Sequence, residues 1–252
     1  MSAVAAPSSA ELLQHMRLQG YAVGSRALLA HIAQAPEADL LALTPAWNSL
    51  AQDQHLKDGG RYRQRRHSSY EVTAGSILKV PHRAHWQPLE YNALHGGMLR
   101  WFEPVLPNLD EAPVWAGLVQ GLAQVCSALK PHVQRWYVEA HPFRIDTTGG
   151  IGRPTPEGAH RDGVDFVSVI LVQRHEIKGG ETRVFSAGDG DGLDRPLMGQ
   201  RFTLSEPWSL LLLDDERVIH ETTPIQPAGE PGWRDTLVLT WRANGFQDPI
   251  PE

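Results

Sequence analysis

"GAHRDGVDFVSVILVQRHEI" (residues 158–177) starts on a glycine-marked bend and runs into a block of apolar, β-branched residues. Valine, isoleucine and phenylalanine at this density fit a pleated, buried strand. The same texture appears in "RWYVEAHPFRI" (135–145), "GETRVFSA" (180–187) and "QRFTL" (200–204). It returns in "WSLLLLDD" (208–215), "RVIHETTPI" (217–225) and "RDTLVLTWRA" (234–243). Gly, Pro or Asp separates these segments. No long helix lies between them, whereas parallel βαβ units need crossover helices. Such an array requires sheets packed face to face or closed into a barrel. The expected fold is mainly β with flanking helices, in a double-sheet jelly roll.

Upstream the texture is different. Ser8 and Glu11 read as a capping box ahead of an apolar face of Leu12, Leu13 and Met16, with Gly20 as the stop. Ser25 caps a second expected helix, 26–35, and 110–130 is the longest candidate, with Leu118, Leu122, Val125 and Leu129 at helical spacing before Pro131. The chain therefore reads as one domain, with a mostly helical decoration (1–130) on a β-rich core (131–252). Between the helices lies "DGGRYRQRRHSSYEV" (58–72), whose Arg61, Arg63, Arg65 and Arg66 form the dense positive cluster, read here as a solvated loop.

Composition excludes several classes. With 41% hydrophobic and 21% charged residues the chain is too apolar to be disordered. A net charge of −6 and no long basic run argue against nucleic acid as a partner. A single cysteine, Cys126, precludes an internal disulfide and a thiolate metal cluster. No segment approaches the roughly twenty apolar residues of a membrane span, and the N-terminus lacks a secretory pattern. A cytoplasmic setting is expected.

His160 and Asp162 are two apart, which puts both side chains on one side of an extended segment. His220 sits within another apolar strand and offers a third ligand. Two imidazoles and a carboxylate on one face of an octahedron suit Fe(II) and leave open positions, although zinc accepts similar ligands. On the final strand Arg234 and Thr236 alternate onto one face, a fork and a hydroxyl able to hold a carboxylate. Arg242 shares that face and is the alternative anchor.

The order H-x-D, distal His, then R-x-T resembles the Fe(II)- and 2-oxoglutarate-dependent dioxygenases. "HRDGVDF", "KGGETRVF", "DDERVIHETTPI" and "RDTLVLTW" more narrowly resemble the bacterial group that includes the free L-isoleucine hydroxylase. The resemblance spans 135–243. It implies a cupin-like double-stranded β-helix, with His160, Asp162 and His220 as iron ligands and Arg234 with Thr236 clamping 2-oxoglutarate. It also implies O2 as oxidant and a small substrate, a free L-amino acid with an aliphatic or thioether side chain. Such a substrate needs a cation for its carboxylate, supplied by Arg144 or by the arginine cluster including Arg63, and an anion for its ammonium, supplied by Glu139 or Asp165. Glu139 and His141 share one strand face and Arg144 takes the other. Asp165, three after Asp162, points away from the metal, and Glu181 in "GGET" is a turn residue. Three alternatives remain at this point: a cupin-like metalloenzyme without 2-oxoglutarate, a non-catalytic carboxylate binder, and a dioxygenase acting on a protein. Oligomeric state leaves no mark in the sequence.

Overall fold

The apolar run from Phe166 does not alternate with polar residues because both of its faces are covered. Its even-numbered members, Phe166, Ile170 and Val172, join the core shared with the helices, and Val167 and Leu171 join a second core. The neighbouring run divides the same way, Leu210 and Leu212 to the first core and Leu211 and Leu213 to the second. A sheet buried on both faces reads as continuous hydrophobicity.

This computed structural model describes residues 8–92, 94–187 and 199–249. The helices are α1 (Ser9–Gln19), α2 (Arg26–Ile32), α3 (Glu37–Ala42), α4 (Pro107–Asp110) and α5 (Pro113–Leu129). The first strands are β1 (Tyr21–Gly24), β2 (Ala51–Gln52), β3 (Arg63–Arg65), β4 (Ser68–Thr73) and β5 (Ser76–Lys79). The others are β6 (Arg135–Asp146), β7 (Phe166–His175), β8 (Ile177–Gly179), β9 (Thr182–Ser186), β10 (Arg201–Phe202), β11 (Ser209–Asp214), β12 (Val218–Thr222), β13 (Ile225–Pro227) and β14 (Trp233–Arg242).

The main sheet runs β1-β11-β7-β14-β6-β3-β2, with β4 also on β6 and β5 beyond it. Facing it are the smaller sheets β10-β9-β12 and β13-β8. The strand pairs are antiparallel, and the architecture is the expected jelly roll. Helix α5 backs the main sheet. It lies so close to α2 that a Cβ at Gly117 or Gly121 would come within 2.2 or 2.0 Å of the Ala33 or Ile32 carbonyl. Among the described residues no helix is long and apolar enough to cross a membrane, and Cys126 is buried and free.

The capping box forms as expected: Ser8 Oγ accepts from the Glu11 N–H and Glu11 accepts from the Ser8 N–H. Gly20 closes α1 in the left-handed region. The longest helix begins at Pro113, since proline has no N–H to continue the short turn before it. Two expectations need correcting. The first 130 residues are not only helical: β1 extends the main sheet beside β11, and β2–β5 extend it past β6. The 58–72 segment is not a solvated loop either. It supplies β3 and most of β4, and Arg63 and Arg65 are buried because β3 pairs with β6 above the interior cavity.

Candidate active site

A cavity open to solvent lies between the two layers. His160 reaches it from the loop before β7 and His220 from β12. These two residues are direct cross-strand partners, each N–H donating to the other's carbonyl at 3.1 and 3.0 Å. Paired backbones bring the rings to 4.6 Å between centroids. Asp162 completes the group, its oxygens 3.9 Å from His160 Nε2 and 3.8 Å from His220 Nε2. All three offer a ligand atom within 4.8 Å of one another.

The surroundings fix these side chains. His160 Nδ1 lies 3.0 Å from the Gly158 carbonyl; donating there leaves Nε2 free to ligate. Burial, then His160, pushes His220 down to about 4, so it is neutral near pH 7, as a ligand must be. Asp215 accepts the backbone N–H groups of Asp162, Gly163 and Val164 at 3.0, 2.7 and 3.1 Å. Gln87 Nε2 donates to Asp162 Oδ1 at 3.1 Å, and its own oxygen accepts from Arg100 and Asn92. The amide is thereby oriented with nitrogen toward the carboxylate.

Arg234 and Thr236 line the same cavity from β14. Arg234 is 3% exposed, and its Nε and Nη2 have no hydrogen-bond partner. Burial, then the nearby Arg174, pulls it down to about 10, and it remains charged at neutral pH. A buried guanidinium without a partner is costly. An anion of fitting shape would offset that cost, so the residues fit a carboxylate of 2-oxoglutarate beside a His-Asp-His metal group. Gly180, at φ +70°, makes room: its Cβ would come within 2.9 Å of Arg174 Nη1 and 3.6 Å of Arg234 Cδ. Glu181 stays in the turn, its N–H donating to Thr223.

The residues expected to bind substrate fare differently. Arg63 lines the cavity, but its Nε is paired with Asp53 at 2.6 Å. Glu139 is enclosed by His67 (3.1 Å) and His85 (3.0 Å) and is not free for an ammonium. Arg144 lies on the opposite strand face, held by Asp235 at 2.7 and 2.8 Å and by Asn48. Asp165 binds an amine, but that of Lys130, at 2.6 Å outside the cavity. Arg242 also lies outside it, so that of the two candidate anchors only Arg234 lines the cavity. Gln87, Asn92, Arg100 and Glu157, all lining the cavity, were not anticipated. They come from irregular segments in which no periodicity marks them.

Two predictions follow from these placements. Arg144→Ala leaves Asp235, 0% exposed, as a buried charge short of its main partner, and is expected to cost about 3–5 kcal/mol. The KM of the folded fraction should not move, and a changed KM would return Arg144 to the site. Second, burial holds His85 at about 4 and His67 and His141 below their usual value. Burial alone would raise Glu139, but His85 and His67 outweigh it and keep that carboxyl well below its usual range. This cluster therefore binds fewer protons in the folded state than in the unfolded one between about pH 4 and 6.5. Thermal melts of metal-free protein should lose a few kcal/mol of stability as pH falls through that window, whereas a flat profile would contradict the burial of this cluster.

A family model described as 2OG-Fe dioxygenase matches residues 44–240. Among solved structures, a bsmA homolog from Methylobium petroleophilum is 50% identical, covering 97% of this chain and 96% of that chain, with a TM-score of 0.89. IDO from Bacillus thuringiensis is 17% identical over 97% of this chain and 100% of that chain, with a TM-score of 0.72. The Fe(II)/(alpha)ketoglutarate-dependent dioxygenase TqaL is 18% identical over 97% and 90%, with a TM-score of 0.71. The last two share the fold. No curated protein sequence matches the chain.

Proposed function

Since the chain belongs to the 2OG-Fe dioxygenase family, we propose that His160, Asp162 and His220 hold the Fe(II) this chemistry requires. Arg234 and Thr236 bind the distal carboxylate of 2-oxoglutarate. The substrate is a free L-amino acid with an aliphatic or thioether side chain, hydroxylated at an aliphatic carbon or oxidised at sulfur. The observation that carries this reading is the buried, unpartnered Arg234 guanidinium opening onto the cavity that holds the His-Asp-His group.

Iron held by these three residues would supply the oxidative chemistry that the family draws from O2 and 2-oxoglutarate. The chain's own residues position the partners. Gln87 and Asp215 hold Asp162 and its loop, so the ligands converge without rearrangement. The Arg234 fork and the Thr236 hydroxyl fix one end of the cosubstrate. Val169 and Val238, paired on β7 and β14, give the cavity an apolar wall for a hydrocarbon side chain. Glu157, also lining the cavity, contacts His160 at 3.5 Å and supplies the negative charge an ammonium would seek.

The test is succinate formation by protein reconstituted with Fe(II) and 2-oxoglutarate, assayed by mass spectrometry across a panel of free L-amino acids. Iron-dependent succinate that rises with one amino acid supports the reading. Succinate indifferent to all of them, but stimulated by a peptide library, would replace the amino acid with a protein substrate. No succinate from folded, iron-loaded protein would overturn the dioxygenase assignment of this cavity.

A further inference from the structure

We propose that Arg65 and Arg100 form a second anion-binding subsite in the active cavity, distinct from Arg234, which receives the carboxylate of the substrate. The inference rests on the reading of this cavity as the dioxygenase site and names the group of the substrate that the protein recognises.

Buried arginines are normally ion-paired. Arg63 obeys the rule through Asp53. Arg65 and Arg100, 4% and 2% exposed and both lining the cavity, do not. Arg65 donates to His141 Nδ1 at 2.7 Å and Arg100 donates to Gln87 Oε1 at 2.9 Å, both uncharged acceptors. The Nε of each is buried with no partner. Of the carboxylates beside them, Asp53 is engaged by Arg63 and Glu139 by His67 and His85, while Glu157, against His160, favours the charge of Arg100 without an ion pair to it. Two cations thus stand in a desolvated wall: burial is what most disfavours the charge of each, and the nearby Arg63 adds to it in both. An incoming anion relieves both at once.

Geometry favours a carboxylate. The Arg65 guanidinium stacks on Phe102 and Phe143, 3.8 and 4.5 Å from the ring centroids. Stacking commits its faces to the rings and leaves its edge for recognition. A planar carboxylate is the shape that an edge-on guanidinium pairs with. Arg100 is linked through Gln87 to Asp162, so the subsite stands two hydrogen bonds from a proposed iron ligand. An acid anchored there would extend its hydrocarbon part toward the metal.

The test is anaerobic calorimetry on intact protein loaded with Fe(II) and saturating 2-oxoglutarate. The probes are L-leucine, L-isoleucine, L-methionine and straight-chain C4–C8 monocarboxylates, each paired with its carboxamide. The amide keeps the shape but removes the negative charge and turns one acceptor oxygen into an N–H donor, so the comparison reads anion recognition without a protein variant. At least one acid is expected to bind about 50-fold more tightly than its amide. In Arg100→Met that preference should fall to within about 5-fold. Equal affinity of every acid and its amide, silence from every acid, or full preference retained in Arg100→Met would overturn the subsite. Failure of the underlying reading is distinguishable, because it would appear as 2-oxoglutarate binding that does not depend on Arg234.

Discussion

Asp162→Ala protein is expected to form no succinate and to bind Fe(II) at least about 100-fold more weakly. Asp162 is the one anion among the three proposed ligands, and both imidazoles face it at 3.8–3.9 Å. Without it, a dication would meet two neutral rings and no compensating charge. The same change should not destabilise metal-free protein. Burial, then Asp162, pushes the Asp215 carboxyl up to about 7, so removing Asp162 removes a like-charge conflict around Asp215. Equilibrium iron titration and thermal melts of the same variant give both numbers. Retained turnover would remove Asp162 from the metal site, and a collapsed melting temperature would assign it a structural role.

Arg234 should show a comparable separation of function from stability. Arg234→Lys keeps the charge but loses the fork, and is expected to raise the KM for 2-oxoglutarate about 100-fold while moving that of the substrate far less. Arg234→Met removes the anchor and should cost at least as much. In the absence of ligand, however, it replaces an unpartnered buried charge with an apolar side chain. Its melting temperature should therefore rise, by about 1–3 kcal/mol of added stability. Equal KM effects on both ligands would point to general misfolding, and a lower melting temperature would mean that Arg234 has a partner within the protein.

The core of the site was legible because it is written in strand periodicity. His160 and Asp162 lie two apart, as do Arg234 and Thr236, and both pairs enter one cavity. The same rule placed Arg144 on the wrong side of β6 for a substrate residue. Its alternation with His141 excludes it from the cavity, whatever its charge. What sequence could not supply was anything set by loops meeting. Gln87, Asn92 and Arg100 come from an irregular segment pinned by a lone bridge between His85 and Arg100. Arg65 reads as a solvent-facing charge in sequence because the residue that covers it, Phe102, comes from another loop. The short strands within the mostly helical N-terminal part escape a sequence reading for the same reason: β1 and β3 owe their existence to β11 and β6, not to their own composition.

Asp215 has consequences for time as well as geometry. Its two oxygens hold three consecutive N–H groups of the ligand loop, and it stands in the turn between β11 and β12, the strand that carries His220. One turn, crossing from the main sheet to the smaller one, therefore governs both halves of the proposed metal group. The amides of Asp162, Gly163 and Val164 can exchange with solvent only when that turn lets go. The residence time of bound iron should then be set by the opening rate of the 214–217 turn, so that metal release and exchange of these three amides share one clock.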